Sequence, residues 1–238
     1  MDVRRVGMEA FEEAVGRTAR TDPVVGVTGG PAGNARLTAW AGVLLLGLFA
    51  AELVTLADVH GLISWHLVIG ALLIPPALVK TATTGWRILR YYTGRRPYRV
   101  AGPPPLLLRV LGPPVVLATL ALLGTGILLV VLGPDHGNDR PGAGESGLGW
   151  RDVHQAAFVV WAVVTGLHVL ARLVPAVRLT VVRSGRAGVP GRFWRLSVLL
   201  LSVLAAAGTA LVVYGAAGAW RSEPQRLPHP PTGRHVTH

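Results

Sequence analysis

Residues 153–174 read VHQAAFVVWAVVTGLHVLARLV: two histidines and one arginine in an otherwise uncharged run. A bilayer core of about 30 Å is crossed by about 20 apolar helical residues, and this stretch is long enough. Four more such runs lie around it, at 37–57, 64–84, 106–132 and 196–217. The first is broken only by Glu52, and the second holds Pro75, Pro76 and Lys80. The third is uncharged after Arg109, and the last carries no charge. The expected fold class is all-α, an integral membrane helical bundle with five transmembrane helices.

Composition agrees. Of 238 residues, 51% are hydrophobic and 15% charged, whereas a soluble domain carries about 25% charged residues. The mean hydropathy is +0.48. A simple soluble globular protein is excluded. The net charge of +11 would suit nucleic-acid binding, but the basic residues fill the gaps between apolar runs and form no single polar face. All of them are Arg except Lys80. There is no cysteine, which excludes disulfides, thiolate zinc sites, iron–sulfur ligation and covalent Cys-x-x-Cys-His haem attachment. A bound metal or haem would need histidine or another nitrogen ligand.

Loop charges predict the orientation. The loop 85–105 holds Arg87, Arg90, Arg95, Arg96 and Arg99 with no acid. The end of the fourth run and the stretch after it hold Arg172, Arg178, Arg183, Arg186, Arg192 and Arg195, again without an acid. The loop after the third run mixes Asp135, Asp139, Glu145 and Asp152 with Arg140 and Arg151. The positive-inside rule then places the N-terminus and both Arg-rich loops in the cytoplasm of a cell, with the plasma membrane crossed five times. Residues 1–36 read as a cytoplasmic tail with one short amphipathic helix and no secretory signal. Within them, 26–34 reads as a Gly-rich linker. Residues 37–217 form the membrane domain, and 218–238 an external Pro/His-rich tail without regular structure.

Ionisable groups inside a membrane are expensive and functional by default. Here they are Glu52, His66, Lys80, His154 and His168. His154 and His168 are 14 residues apart. At about 100° and 1.5 Å per residue, both rings face one side of the helix, roughly 21 Å apart. Such a pair suits two stacked b-type haems, each needing a second ligand from a facing helix. The second run is that helix: it runs in the same direction, with His66 level with His154 and Lys80 level with His168. His66/His154 is the expected bis-His haem b site. His168 either binds a second haem, with Lys80 or another group, or binds none. Lys80 either ligates iron or snorkels to the interface.

Each residue also has a plainer reading. A membrane histidine can simply bridge two helices. Arg87, Arg90, Arg109 and Arg172 can pair with haem propionates or only mark the cytoplasmic side. Glu52 either relays protons or reaches the outer interface. Gly70, Gly124, Gly126 and Gly166 either let a flat macrocycle approach or serve helix packing. Most tryptophans sit at run ends as an interfacial belt, whereas Trp161 and Phe158 lie mid-span and could flank a haem. His60 is a spare ligand, and His136, His229, His235 and His238 read as solvated.

Three stretches carry a resemblance: HLVIGALLIPPALVKTATTGWRILRYYTG (66–94) with Tyr98, GPPPLLLRVLGP (102–113) and HQAAFVVWAVVTGLHVL (154–170). Over about residues 37–175 the chain resembles small actinobacterial integral membrane proteins related to bacterial di-haem cytochrome b. The resemblance implies electron transfer, often as the membrane anchor of a partner oxidoreductase. Relatives often carry a further histidine just past the second histidine of the fourth run, where this chain has Arg172.

The expected function is therefore a membrane cytochrome with one haem b, or two. It would pass electrons between a quinol or partner oxidoreductase and an acceptor, as an electron-transfer subunit rather than a stand-alone enzyme. Expected partners are membrane lipid and a redox protein or quinone, with a homo-oligomer as a further option and no nucleic acid. The rivals are a small transporter or assembly factor without haem, favoured by Pro75–Pro76 and Glu52, and an intramembrane metal-dependent enzyme using the same histidines.

Overall fold

The computed structural model describes residues 8, 12, 22–103, 106–133, 149–181, 188–218 and 220. Among the described residues the helices are α1 (Gly30–Thr55), α2 (Ile63–Tyr92), the short α3 (Arg96–Val100), α4 (Leu106–Leu132), α5 (Trp150–Val181) and α6 (Arg192–Ala216), with a 3-10 turn at Leu56–Asp58. No strand occurs among the described residues. Five of these helices, all but α3, are long and apolar enough to cross a membrane. Helices are what such segments must be, since hydrocarbon leaves every backbone N–H and C=O to find its partner within the segment. Of the expected helix in the N-terminal tail only Met8 and Glu12 are described, both helical; the C-terminal tail beyond 220, and His136, His229, His235 and His238 lie outside the described residues.

Side chains are sorted by size. Leu78, Leu120, Leu200 and Leu211 are each more than half exposed, while Ala39, Ala41, Ala71, Ala77, Ala206 and Ala210 are buried. Small residues inward let helix backbones approach, and large ones face lipid, the arrangement of a bundle whose solvent is as apolar as its core. α1 packs on α2 and α5, α2 on α6, and α4 on α5. Leu45, Leu73 and Ala77 form the middle of the core, covered by Leu48, Phe49 and Leu123. α2 and α5 lack close backbone packing, so what passes between them passes through side chains.

α1 begins at Gly30, earlier than residue 37. Half of the expected 26–34 linker is therefore its first turn. Gly29 takes φ 82° before it and Pro31 falls in the first turn, where its missing N–H is no loss. Pro75 and Pro76 likewise lie inside one unbroken helix. The turns beneath α1 and α6 are clasped by Arg195, which is 2% exposed. It donates to Pro190 O at 2.6 Å, Val189 O at 3.0 Å and Thr28 O at 3.3 Å. Gly191, at φ 77°, passes so close that a methyl there would meet the Thr28 backbone.

Candidate functional site

α5 turns one stripe inward: His154, Phe158, Trp161, Thr165, His168 and Arg172, spaced by three or four residues. The positions between them, such as Val159, Val160, Val163, Leu167 and Leu170, are exposed. At the middle of the stripe Trp161 is 6% exposed, packs on Phe49 with ring centroids 4.6 Å apart, and donates its indole N–H to Thr119 Oγ1 at 3.2 Å. This aromatic plug separates two polar clusters.

The first cluster joins His66 to His154. Their ring centroids are 6.4 Å apart and their planes cross at 85°. Both rings are held by Nδ1. His66 Nδ1 lies 2.9 Å from Glu52 Oε1 and 3.1 Å from Thr55 Oγ1. Thr55 spends its own proton on Glu52 O at 2.6 Å, so its oxygen accepts from the ring. His154 Nδ1 lies 2.8 Å from Thr125 Oγ1, and Thr125 donates to Ala121 O at 2.7 Å. Two acceptors on one ring and one on the other assign the ring proton to Nδ1 in each. A neutral imidazole protonated on Nδ1 keeps its lone pair on Nε2. A ligating histidine is oriented in this way, by a carboxylate or oxygen on the nitrogen that does not bind the metal.

The spacing fits one metal ion between the rings. Two bonds of about 2.0–2.1 Å and two ring radii of about 1.1 Å sum to roughly 6.3 Å, against the observed 6.4 Å. A methyl on Gly126 would come within 3.2 Å of His154 Cε1, so this glycine makes room for the ring itself. Gly70 faces the Glu52 carboxylate, and Gly124 and Gly166 face open space. Among the described residues no group of three or more His, Asp or Glu side chains converges on a common point. A catalytic zinc site, which takes three protein ligands, has no such set there.

The second cluster lies at the other end of the stripe. The charges of Lys80 and Arg172 both reach the His168 ring, and they reach each other. Lys80 does not turn out to lipid: its Nζ lies over Gly42 of α1, where a methyl would stand 2.9 Å away. His168 Nδ1 and Thr165 Oγ1 are buried without a hydrogen-bond partner.

The remaining candidates are placed elsewhere. Arg87 makes a two-bond pair with Asp22, both at 2.8 Å. Arg90 lies 4.0 Å over the Trp86 ring. His60 is exposed on the turn after α1. Glu52 turns inward to His66 and does not reach out to the interface. Thr55, Thr125 and Thr165 have no signature in the sequence, although Thr165 shares the stripe of His154 and His168.

Five apolar helices with small residues and ionisable groups turned inward define a multi-pass membrane protein. The chain matches no protein-family model, no curated protein and no solved structure.

Proposed function

We propose that the chain is a membrane-embedded b-type cytochrome in which Nε2 of His66 and Nε2 of His154 hold one haem b. The single observation that carries this reading is the pair of Nδ1-anchored imidazoles from two helices whose ring centroids lie 6.4 Å apart. When bound, the haem supplies reversible one-electron transfer. The chain's own residues do the rest. Glu52 and Thr55 fix the His66 ring and raise its basicity, Thr125 fixes His154, and the apolar helices keep water from the site. The positive-inside pattern puts the Arg-rich ends in the cytoplasm and this haem toward the outside of the plasma membrane. There it would exchange electrons with a quinol or partner oxidoreductase on one side and an acceptor on the other.

The test is haem content. Purified wild-type protein should carry about one haem per chain, and His154→Ala almost none. Full haem retention in that variant contradicts the reading. A second reading rests on the Glu52–His66 pair, 2.9 Å apart within the spans: a carboxylate and an imidazole so placed can pass a proton, as in a proton-coupled transporter. Colourless protein made with ample haem supply, together with proton uptake lost in Glu52→Gln, would select it.

A further inference from the structure

The Arg-rich end of α2 carries a cleft of about 490 Å³, lined by Trp86, Leu89, Arg90, Thr93, Gly94 and Arg95. Its shape follows from how the helix stops. Gly94 takes φ 79°, a left-handed conformation that glycine adopts without strain. Gly94 N–H then donates to Tyr91 O at 3.2 Å and Arg95 N–H to Arg90 O at 3.1 Å, the paired bonds of a Schellman ending. This reversal turns the chain back over the last turn, so that Arg90 and Arg95 line one cleft.

Thr93 spends its hydroxyl proton on Leu89 O at 2.8 Å, so the donors left to the cleft are the two guanidinium groups. Arg90 is already oriented: its guanidinium carbon lies 4.0 Å over the Trp86 ring. Contact with a ring occupies the face of a guanidinium and leaves the N–H groups on its edge for an acceptor. Among the described residues no hydrogen bond or ion pair takes the side-chain N–H groups of Arg90 or Arg95. No acid occurs in 85–105, and Asp22, which does reach α2, is held by Arg87 through two bonds of 2.8 Å. The other wall is apolar, with Trp86 45% and Leu89 55% exposed. Leu78, Ala82, Trp86 and Leu89 are all exposed and follow one another at three or four residues, so they form one face of α2. That face leads from the cleft into the apolar span.

We infer that this cleft binds an acidic phospholipid, with its phosphate held by Arg90 and Arg95 and an acyl chain laid along Leu89, Trp86, Ala82 and Leu78. Two guanidinium groups at the polar end and an apolar track behind them match an amphiphile with an anionic head. A zwitterionic head fits worse, because its ammonium would meet Arg90 and Arg95 with no acid to receive it. Inorganic phosphate would satisfy the arginines and leave the track bare. A basic loop attracts an anionic leaflet in general, but here position matters: Arg99 is exposed on α3, outside the cleft lining, with the same charge. The site stands whether or not the His66–His154 pair holds haem.

The test uses the delipidated full chain in detergent, with native mass spectrometry counting the lipids it retains from phosphatidylcholine doped with phosphatidylglycerol. Wild type should keep phosphatidylglycerol in preference to phosphatidylcholine. Arg90→Gln and Arg95→Gln should each weaken its binding by about tenfold, the loss expected of one charge-assisted contact. Trp86→Leu keeps both charges and an apolar wall but frees Arg90 from its ring, and should weaken binding severalfold. Arg99→Gln should leave it unchanged. All four side chains lie at the surface, so the variants should fold. Equal retention of the two lipids by wild type overturns the site, as does unchanged affinity in either cleft arginine variant. An equal loss in Arg99→Gln would reduce the cleft to a diffuse basic surface and overturns it too. Inorganic phosphate binding as tightly as the lipid would show that the track plays no part, and overturns the lipid assignment.

Discussion

The two ends of the α5 stripe use the same helices and differ in what stands behind the imidazole. At the His66–His154 end each Nδ1 is backed by an acceptor, Glu52 and Thr55 on one ring and Thr125 on the other. At the His168 end the neighbours are Lys80 and Arg172, and Nδ1 has no partner. A backed imidazole presents its Nε2 lone pair to a cation. The same residue type therefore meets opposite surroundings at the two ends.

Substitutions can break this contrast, and the largest effect falls on the rings themselves. His66→Ala should abolish haem binding as completely as His154→Ala, measured as haem per chain in purified protein. Either variant keeping its haem would remove the bis-His assignment. Next is the backing group: Glu52→Gln should weaken haem retention by about 10–100-fold. It should also raise the midpoint potential, since a less basic His66 donates less to the oxidised iron. Redox titration reads the sign, and an unchanged potential would mean that the carboxylate does not act through His66. A smaller change is expected from Gly126→Ala, whose methyl crowds His154 Cε1. The visible band should shift with haem content largely kept. The smallest effect is at the far end. His168→Ala should leave haem content and band positions unchanged, and a fall to half would show a second haem and erase the contrast.

Much of this arrangement is legible in the chain alone. Uninterrupted apolar length marks the five spans because lipid permits little else. The helical period places His154 and His168 on one face and sets Lys80 level with His168. What is not legible depends on neighbours. Glu52 precedes His66 by 14 residues, and only the reversal at 56–62 brings its carboxylate to that ring. Thr125 resembles any lipid-tolerant threonine until α4 packs on α5. The start of α1 misleads because Gly29 and Pro31 read as linker composition, yet a left-handed glycine followed by a first-turn proline is also a way to begin a helix. Lys80 reads as a snorkelling anchor until Gly42 is seen beneath its ammonium.

The central claim, an iron held between His66 and His154, is tested most directly by a reduced-minus-oxidised visible spectrum of the detergent-purified wild-type protein, with haem quantified per chain. The account predicts a low-spin b-type signal at about one haem per chain. Colourless protein from cells given ample haem would contradict it.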